Sequence, residues 1–414
     1  MSRYLGFGSQ RTDRSPPTAD DIRRDMQNFS VVLGGPLFQL LRRAHIADDA
    51  LEMVRQRVLV ISLIAWLPLL VLAAVDGQLL DGSVAIPFLL DLEVHIRFLV
   101  AVPLLIVAEL VVHRRLRPIA RAFLDRGIIP EASVAQFDEA VRSAFRLRNS
   151  VAAELLLIAV VYGVGIFVVW HHYSALQTTA TWYAVPSSDG LTLSLAGFWY
   201  AYVSVPIFQF LLLRWYFRLF VWTRFLWHVS RIELSLIPTH PDRVGGLGFL
   251  ANTVYAFMAL LAAHGAMLSA QFANRIFFRR RFADRLQGRD RRNGALPAVP
   301  YLCPFAGVFA STGQREAKGP ERIRDAGPTI RARVRRQVVA GRRACRRALV
   351  GSADIQSLAD LGNSFDVIRT MRIAPMTKDA VLRLAVAVLL PILPLALTMM
   401  SLEDLLKRLF GLVF

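Results

Sequence analysis

Cysteine is almost missing from this chain: its 414 residues include only Cys303 and Cys345. Two thiols build neither a disulfide framework nor a metal site, and no metal is expected. Lysine is nearly as scarce, with three residues against 46 arginines, a usage that fits a GC-rich gene. Residues 1–30 lack an apolar run, which argues against a cleavable secretory signal peptide. They read as part of a polar, basic tail over 1–57, with a short amphipathic stretch at 31–41. Nucleophile elbows, zinc-ligand spacings, nucleotide fingerprints and internal transporter-type repeats are also missing. No catalytic residue or cofactor is therefore assigned from the sequence.

What the chain has in abundance is apolar material, 55% of its residues. It comes in long unbroken runs and not in short alternating segments. A bilayer cannot hydrogen-bond a backbone, so runs of this kind read as spanning helices. The expectation is an all-α, polytopic transmembrane helical bundle. Its membrane domain, 58–270, has five spans at 58–75, 98–112, 151–170, 195–213 and 248–270, with a sixth at 381–400. The His113-Arg114-Arg115 cluster is expected to stop the second span. The fourth is expected to continue as a basic, tryptophan-studded helix to Trp227. Residues 401–414 read as an amphipathic tail.

Orientation follows from the arginines. The loops at 76–97 and 171–194 hold one between them, Arg97, whereas those at 113–150 and 214–247 are rich in arginine. The basic loops and the N-terminus are thus expected in the cytoplasm of a bacterium, with the chain in its inner membrane. The lipid bilayer is the first partner this implies.

The net charge of +18 does not point to nucleic acid, because residues 279–347 alone carry +14 of it. That segment has no usable periodicity, reads as disordered, and breaks the charge rule: after five spans it belongs outside. A pair of compensating frameshifts explains both anomalies. Read one base on from Arg280, the codons permit a peptide that includes the apolar run LLFLIFAPLLVF, followed by a basic helix-like stretch that rejoins the frame at Leu349. The genetic code fixes the outer bases of each shifted codon and leaves the middle one free. On this reading the bundle shows six recognisable spans and has lost a seventh to a frameshifted segment. The restored span would return residues 351–380 to the cytoplasm as an amphipathic helix region.

Three groups of residues are candidates for function. In the loop before the fifth span, His240 and Asp242 precede Gly245, Gly246 and Gly248. One reading is structural, with Asp242 accepting from free amides at a helix start; the other is a His/Asp pair beside a glycine-lined anion pocket. Glu109, Glu154 and His264 are ionisable residues inside apolar runs, where a charge is costly without a partner. The two glutamates lie near the cytoplasmic ends of their spans, within expected reach of Arg114, Arg115 or Arg148. The stretch GSADIQSLADLGNSF at 351–365 has an apolar face at helical spacing, with Asp354, Gln356, Asp360 and Asn363 elsewhere, as an interfacial or docking helix would.

The HPDRVGGLGF stretch at 240–249 and the GSADIQSLADLGNSF stretch resemble those of a family of uncharacterised multi-spanning inner-membrane proteins of proteobacteria. The resemblance covers most of the chain apart from 279–347 and implies topology without chemistry. With no catalytic constellation, the expected function is that of a non-enzymatic scaffold or accessory subunit with a protein partner at its cytoplasmic face. The alternative is a proton- or cation-linked transporter or channel lined by Glu109, Glu154 and His264.

Overall fold

The computed structural model describes residues 29–35, 39, 53–80, 84–175, 180–187, 190–237, 240–285 and 378–395. The first helix, α1 (Val54–Val75), is apolar nearly all round. Ala65, Leu69 and Ala73 form a buried stripe one turn apart, while Leu59, Leu63, Leu67 and Val71 face outward. Large apolar groups on the outside are what lipid allows and water opposes. Four helices are long and apolar enough to cross a membrane: α1, α2 (Leu92–Asp125), α5 (Leu195–Val229) and the stretch Leu247–Asn274. They coincide with four of the six expected spans. Over the third, the chain is helical as α4 (Val151–Ala175), and Val151–Gly163 is a shorter apolar helix. Over the last, α8 (Lys378–Leu389) is followed by a 3-10 turn, Leu390–Ile392; residues 396–400 lie outside the described residues.

Helix α2 does not stop at His113-Arg114-Arg115, contrary to expectation, and runs on to Asp125. Beyond the basic cluster its buried face is Leu116, Ile119, Ala120, Phe123 and Leu124, at helical spacing. An apolar face of its own carries the helix past the point where the membrane-type composition ends. Helix α5 does the same through Trp222 and Phe225 to Val229. These two surplus halves pack with α3 (Val134–Arg148) around an aromatic core of Phe29, Phe123, Phe137, Trp222, Phe225 and Phe249. Phe123 meets Phe249 edge to face at 5.1 Å, an arrangement that favours aromatic pairs beyond their buried area. Residues 29–35 are irregular and supply Phe29 to this core, where the sequence suggested the start of an amphipathic stretch.

Prolines shape the spanning helices. A proline lacks an amide proton and crowds the carbonyl four residues back. Both α2 and α5 open into a π-helical turn, Arg97–Ala101 and Tyr200–Ser204, just before Pro103 and Pro206. The carbonyls these prolines leave free, Leu99 and Tyr202, lie inside those turns, and the Tyr202 carbonyl accepts from the Tyr162 hydroxyl of α4. In α1, Pro68 frees the carbonyl of Ile64, which accepts from the Trp199 indole of α5 at 3.3 Å. Neighbouring helices thus satisfy the Tyr202 and Ile64 carbonyls, as lipid cannot.

At the end away from the arginine-rich loops, Asp91 caps α2 and is buried. It also accepts from the Trp182 indole at 3.0 Å and from the Asn274 amide at 2.8 Å. Trp182 precedes a hairpin, β1 (Ala184–Ser187) with β2 (Gly190–Leu193), paired antiparallel with Ala184 opposite Leu193. Asp91 therefore ties the hairpin, α2 and α7 (Met258–Arg285) together. Helix α7 follows a short helix, α6 (Asn252–Ala256), and α8 packs on it. It continues to Arg285, so residues 279–285 are helical, although they belong to the segment that reads as disordered in the sequence. Residues 286–347 lie outside the described residues.

Candidate functional site

Five charged side chains from four helices meet where the apolar runs give way to polar ones. Arg57 stands in the first turn of α1, Glu109 halfway along α2, Glu154 in the first turn of α4, and Arg214 and Arg218 one turn apart on α5. All five are buried. Glu109 is the hub. Its Oε2 accepts from Arg57 Nη2 and its Oε1 from Arg218 Nη2 at 2.8 Å. Arg214 lies between the two acids, its Nη1 3.9 Å from Glu109 Oε1 and its Nη2 3.8 Å from Glu154 Oε1. The Trp215 ring carries the Arg218 guanidinium at 4.8 Å, and its indole donates to the Leu105 carbonyl of α2.

Arg148, at the end of α3, flanks this layer. It donates to the Ser30 carbonyl and to Asn149 Oδ1, and its guanidinium lies 4.6 Å from the Phe145 ring centroid. Burial and the nearby Arg218 pull its pKa down to about 10, so it stays charged at neutral pH. The 29–35 loop is pinned here at several points. Ser30 also pairs with His113, and the Gly35 amide donates to Asn149. A Cβ on Gly34 would fall 2.7 Å from the Arg148 guanidinium, so glycine lets the backbone press against the arginine.

The two glutamates that the sequence singled out do come together, and Glu109 has partners other than those expected. Glu109 pairs with Arg57, Arg214 and Arg218 in place of Arg114, Arg115 or Arg148. Arg57 is invisible to a search of apolar runs because it sits one residue before one. Arg214 and Arg218 read as part of a basic stretch leaving the membrane. Their spacing, two arginines one helical turn apart among aromatics, was the available signal.

His264 is not part of this layer. It pairs with the Tyr216 hydroxyl at 2.7 Å and with the Leu260 carbonyl one turn back, beside a small apolar cavity lined by Leu105, Phe208, Leu212 and Met267. That is helix-to-helix bonding by a buried imidazole.

In the loop before Leu247, the Asp242 carboxylate accepts from three amides: Val244 at 3.0 Å, Gly246 at 3.1 Å and Gly248 at 2.8 Å. Burial acts to raise its pKa, but those donors together with His240 outweigh it and hold the carboxyl below its ordinary value. His240 Nδ1 lies 2.9 Å from Asp242 Oδ1 and 3.3 Å from the Asp242 amide. The nitrogen serves the first contact when protonated and the second when not. Gly248 is required by close approach, since a Cβ there would meet the Asp242 side chain at 3.0 Å. Gly245 and Gly246 both have positive φ, as does Arg243. The glycine-lined anion pocket is thus filled by the chain's own carboxylate. Asp354, Gln356, Asp360 and Asn363 lie outside the described residues.

The chemistry open to the arginine layer is electrostatic. Guanidinium groups remain charged and hold carboxylates through charge-assisted hydrogen bonds. The layer can fix helices in register and attract negative charge. Set against protein families, curated proteins and solved structures, the chain matches none.

Proposed function

We propose that the chain is a multi-pass protein of a bacterial inner membrane, with its N-terminus in the cytoplasm. It belongs with the multi-spanning proteobacterial family its motifs resemble, and it acts as a non-enzymatic scaffold or accessory subunit. The observation that carries this reading is the length of two helices. At 1.5 Å per residue, α2 with 34 residues and α5 with 35 each run about 50 Å, whereas a hydrocarbon core is about 30 Å thick. The surplus lies at the arginine-rich end, where α3 and the aromatic core make a rigid platform for a partner. The arginine excess at that end favours the cytoplasmic side.

The alternative, a proton- or cation-linked transporter, loses support from the same residues. Its path needs Glu109, Glu154 and His264 together, but His264 bonds elsewhere and the glutamates sit among arginines that repel cations. The scaffold reading is tested by the native mass of the protein purified in mild detergent. A stoichiometric second polypeptide is expected, released when exposed platform residues of α3 such as Glu139 and Arg142 are reversed in charge. A lone chain with no other subunit contradicts the reading.

A further inference from the structure

The arginine layer is unbalanced. Among the described residues, Arg57, Arg148, Arg214 and Arg218 face only Glu109 and Glu154. Taking an ion out of water costs several kcal/mol, and the cost is recovered only when its donors are met. Arg57 does not meet that condition. Its side chain is 2% exposed, one nitrogen holds Glu109, and both Nε and Nη1 are buried with no hydrogen-bond partner. A guanidinium offers its donors as planar forks that share Nη2, so an oxyanion can pair with Nε or with Nη1 beside the Glu109 contact.

We propose that this layer is a binding site for a phosphate-class oxyanion, held by Arg57 with Arg214 and Arg218. Its depth agrees with the chemistry. Arg57 precedes the apolar run of α1 by one residue, at the level where lipid phosphates lie, so a phospholipid headgroup and a free phosphate are the two sources. The 29–35 loop covers the layer next to Glu154, where a Cβ on Gly35 would fall 2.9 Å from Glu154 Oε1. Arg148 holds that loop through the Ser30 carbonyl. An anion there would meet one of the two free Arg57 donors while leaving Glu109 in place.

The full-length protein, delipidated in neutral detergent, provides the test. Thermal stability is followed during titration with inorganic phosphate, and native mass spectrometry counts retained phosphatidylglycerol, with diacylglycerol as the phosphate-free control. Stabilisation by inorganic phosphate identifies the free ion as a ligand. Retention of phosphatidylglycerol without any effect of the free ion identifies the headgroup. Either result is expected to weaken about tenfold to hundredfold in Arg57→Gln, the range for a lost charge-assisted hydrogen bond. Arg57→Lys keeps the charge beside Glu109 but loses the fork. It should fold and still bind several-fold more weakly than the parent, which covers the case in which Arg57→Gln does not fold. Arg55→Gln, at an exposed position of the same turn, should bind like the parent. No preference for phosphate over diacylglycerol, or equal binding by the parent and Arg57→Lys, overturns the proposal.

Discussion

Glu109→Ala is expected to cost about 3–5 kcal/mol, the range for removing one partner of a buried ion pair. Glu109 accepts from Arg57 and Arg218 and lies near Arg214, so its loss leaves three buried guanidinium groups with only Glu154 among the described acids nearby. The effect should exceed that of Glu154→Ala, because the Glu154 side chain is more exposed than that of Glu109. Thermal unfolding in detergent, followed by tryptophan fluorescence, measures both. A double substitution, Arg57→Met with Glu109→Met, should recover only part of the loss, since Arg218 keeps its charge and loses its acceptor. A Glu109→Ala protein as stable as the parent would mean that the layer is hydrated and does not hold the helices.

Restoring the shifted frame across 279–347 is expected to move residues 351–380 from one side of the membrane to the other. With the five expected spans before it, the segment as it stands would lie outside, against its own +14 charge. With the apolar run LLFLIFAPLLVF restored, a further span would precede 351–380 and place them on the side of the 240–249 loop. Ser352→Cys reports the side. In the restored chain it should react with a membrane-impermeant maleimide only in inside-out vesicles. In the chain as it stands, with Cys303 and Cys345 changed to serine, the pattern should differ. Labelling from the outer side in both chains would sink the frameshift reading, as would resequencing that finds one continuous frame encoding the present residues.

The parts of the fold legible in the sequence were those written in local composition. Runs such as 58–75 declare a helix because nothing in them tolerates water, and the structure has helices over each expected span that it describes. The continuation of α2 past His113 was hidden because three basic residues outweigh, on any hydropathy count, the widely spaced Leu116, Ile119 and Phe123 that bury it. Spacing at three and four residues was the signal, and it belongs to water-facing helices and not to spans. The π turns at Arg97–Ala101 and Tyr200–Ser204 were foreshadowed only by Pro103 and Pro206. Of the arginine layer, the acids were legible as charges inside apolar runs. Their partners were not, because pairing between α1, α2 and α5 is a property of how the helices assemble. The Asp242 cradle was the reverse case. All its donors lie within six residues of the acceptor, so turn chemistry alone was enough to anticipate it.

The measurement that bears most directly on a membrane half joined to a water-facing platform is cysteine accessibility along α2. In a background with Cys303→Ser and Cys345→Ser, single cysteines replace the outward-facing Leu99, Val100 and Val107 on one side of Glu109 and the exposed Arg114 and Arg115 on the other. An impermeant maleimide applied to inside-out vesicles should modify positions 114 and 115 and leave 99, 100 and 107 unmodified. Equal labelling on both sides of Glu109, or labelling of 114 and 115 only from the opposite face, would contradict the account.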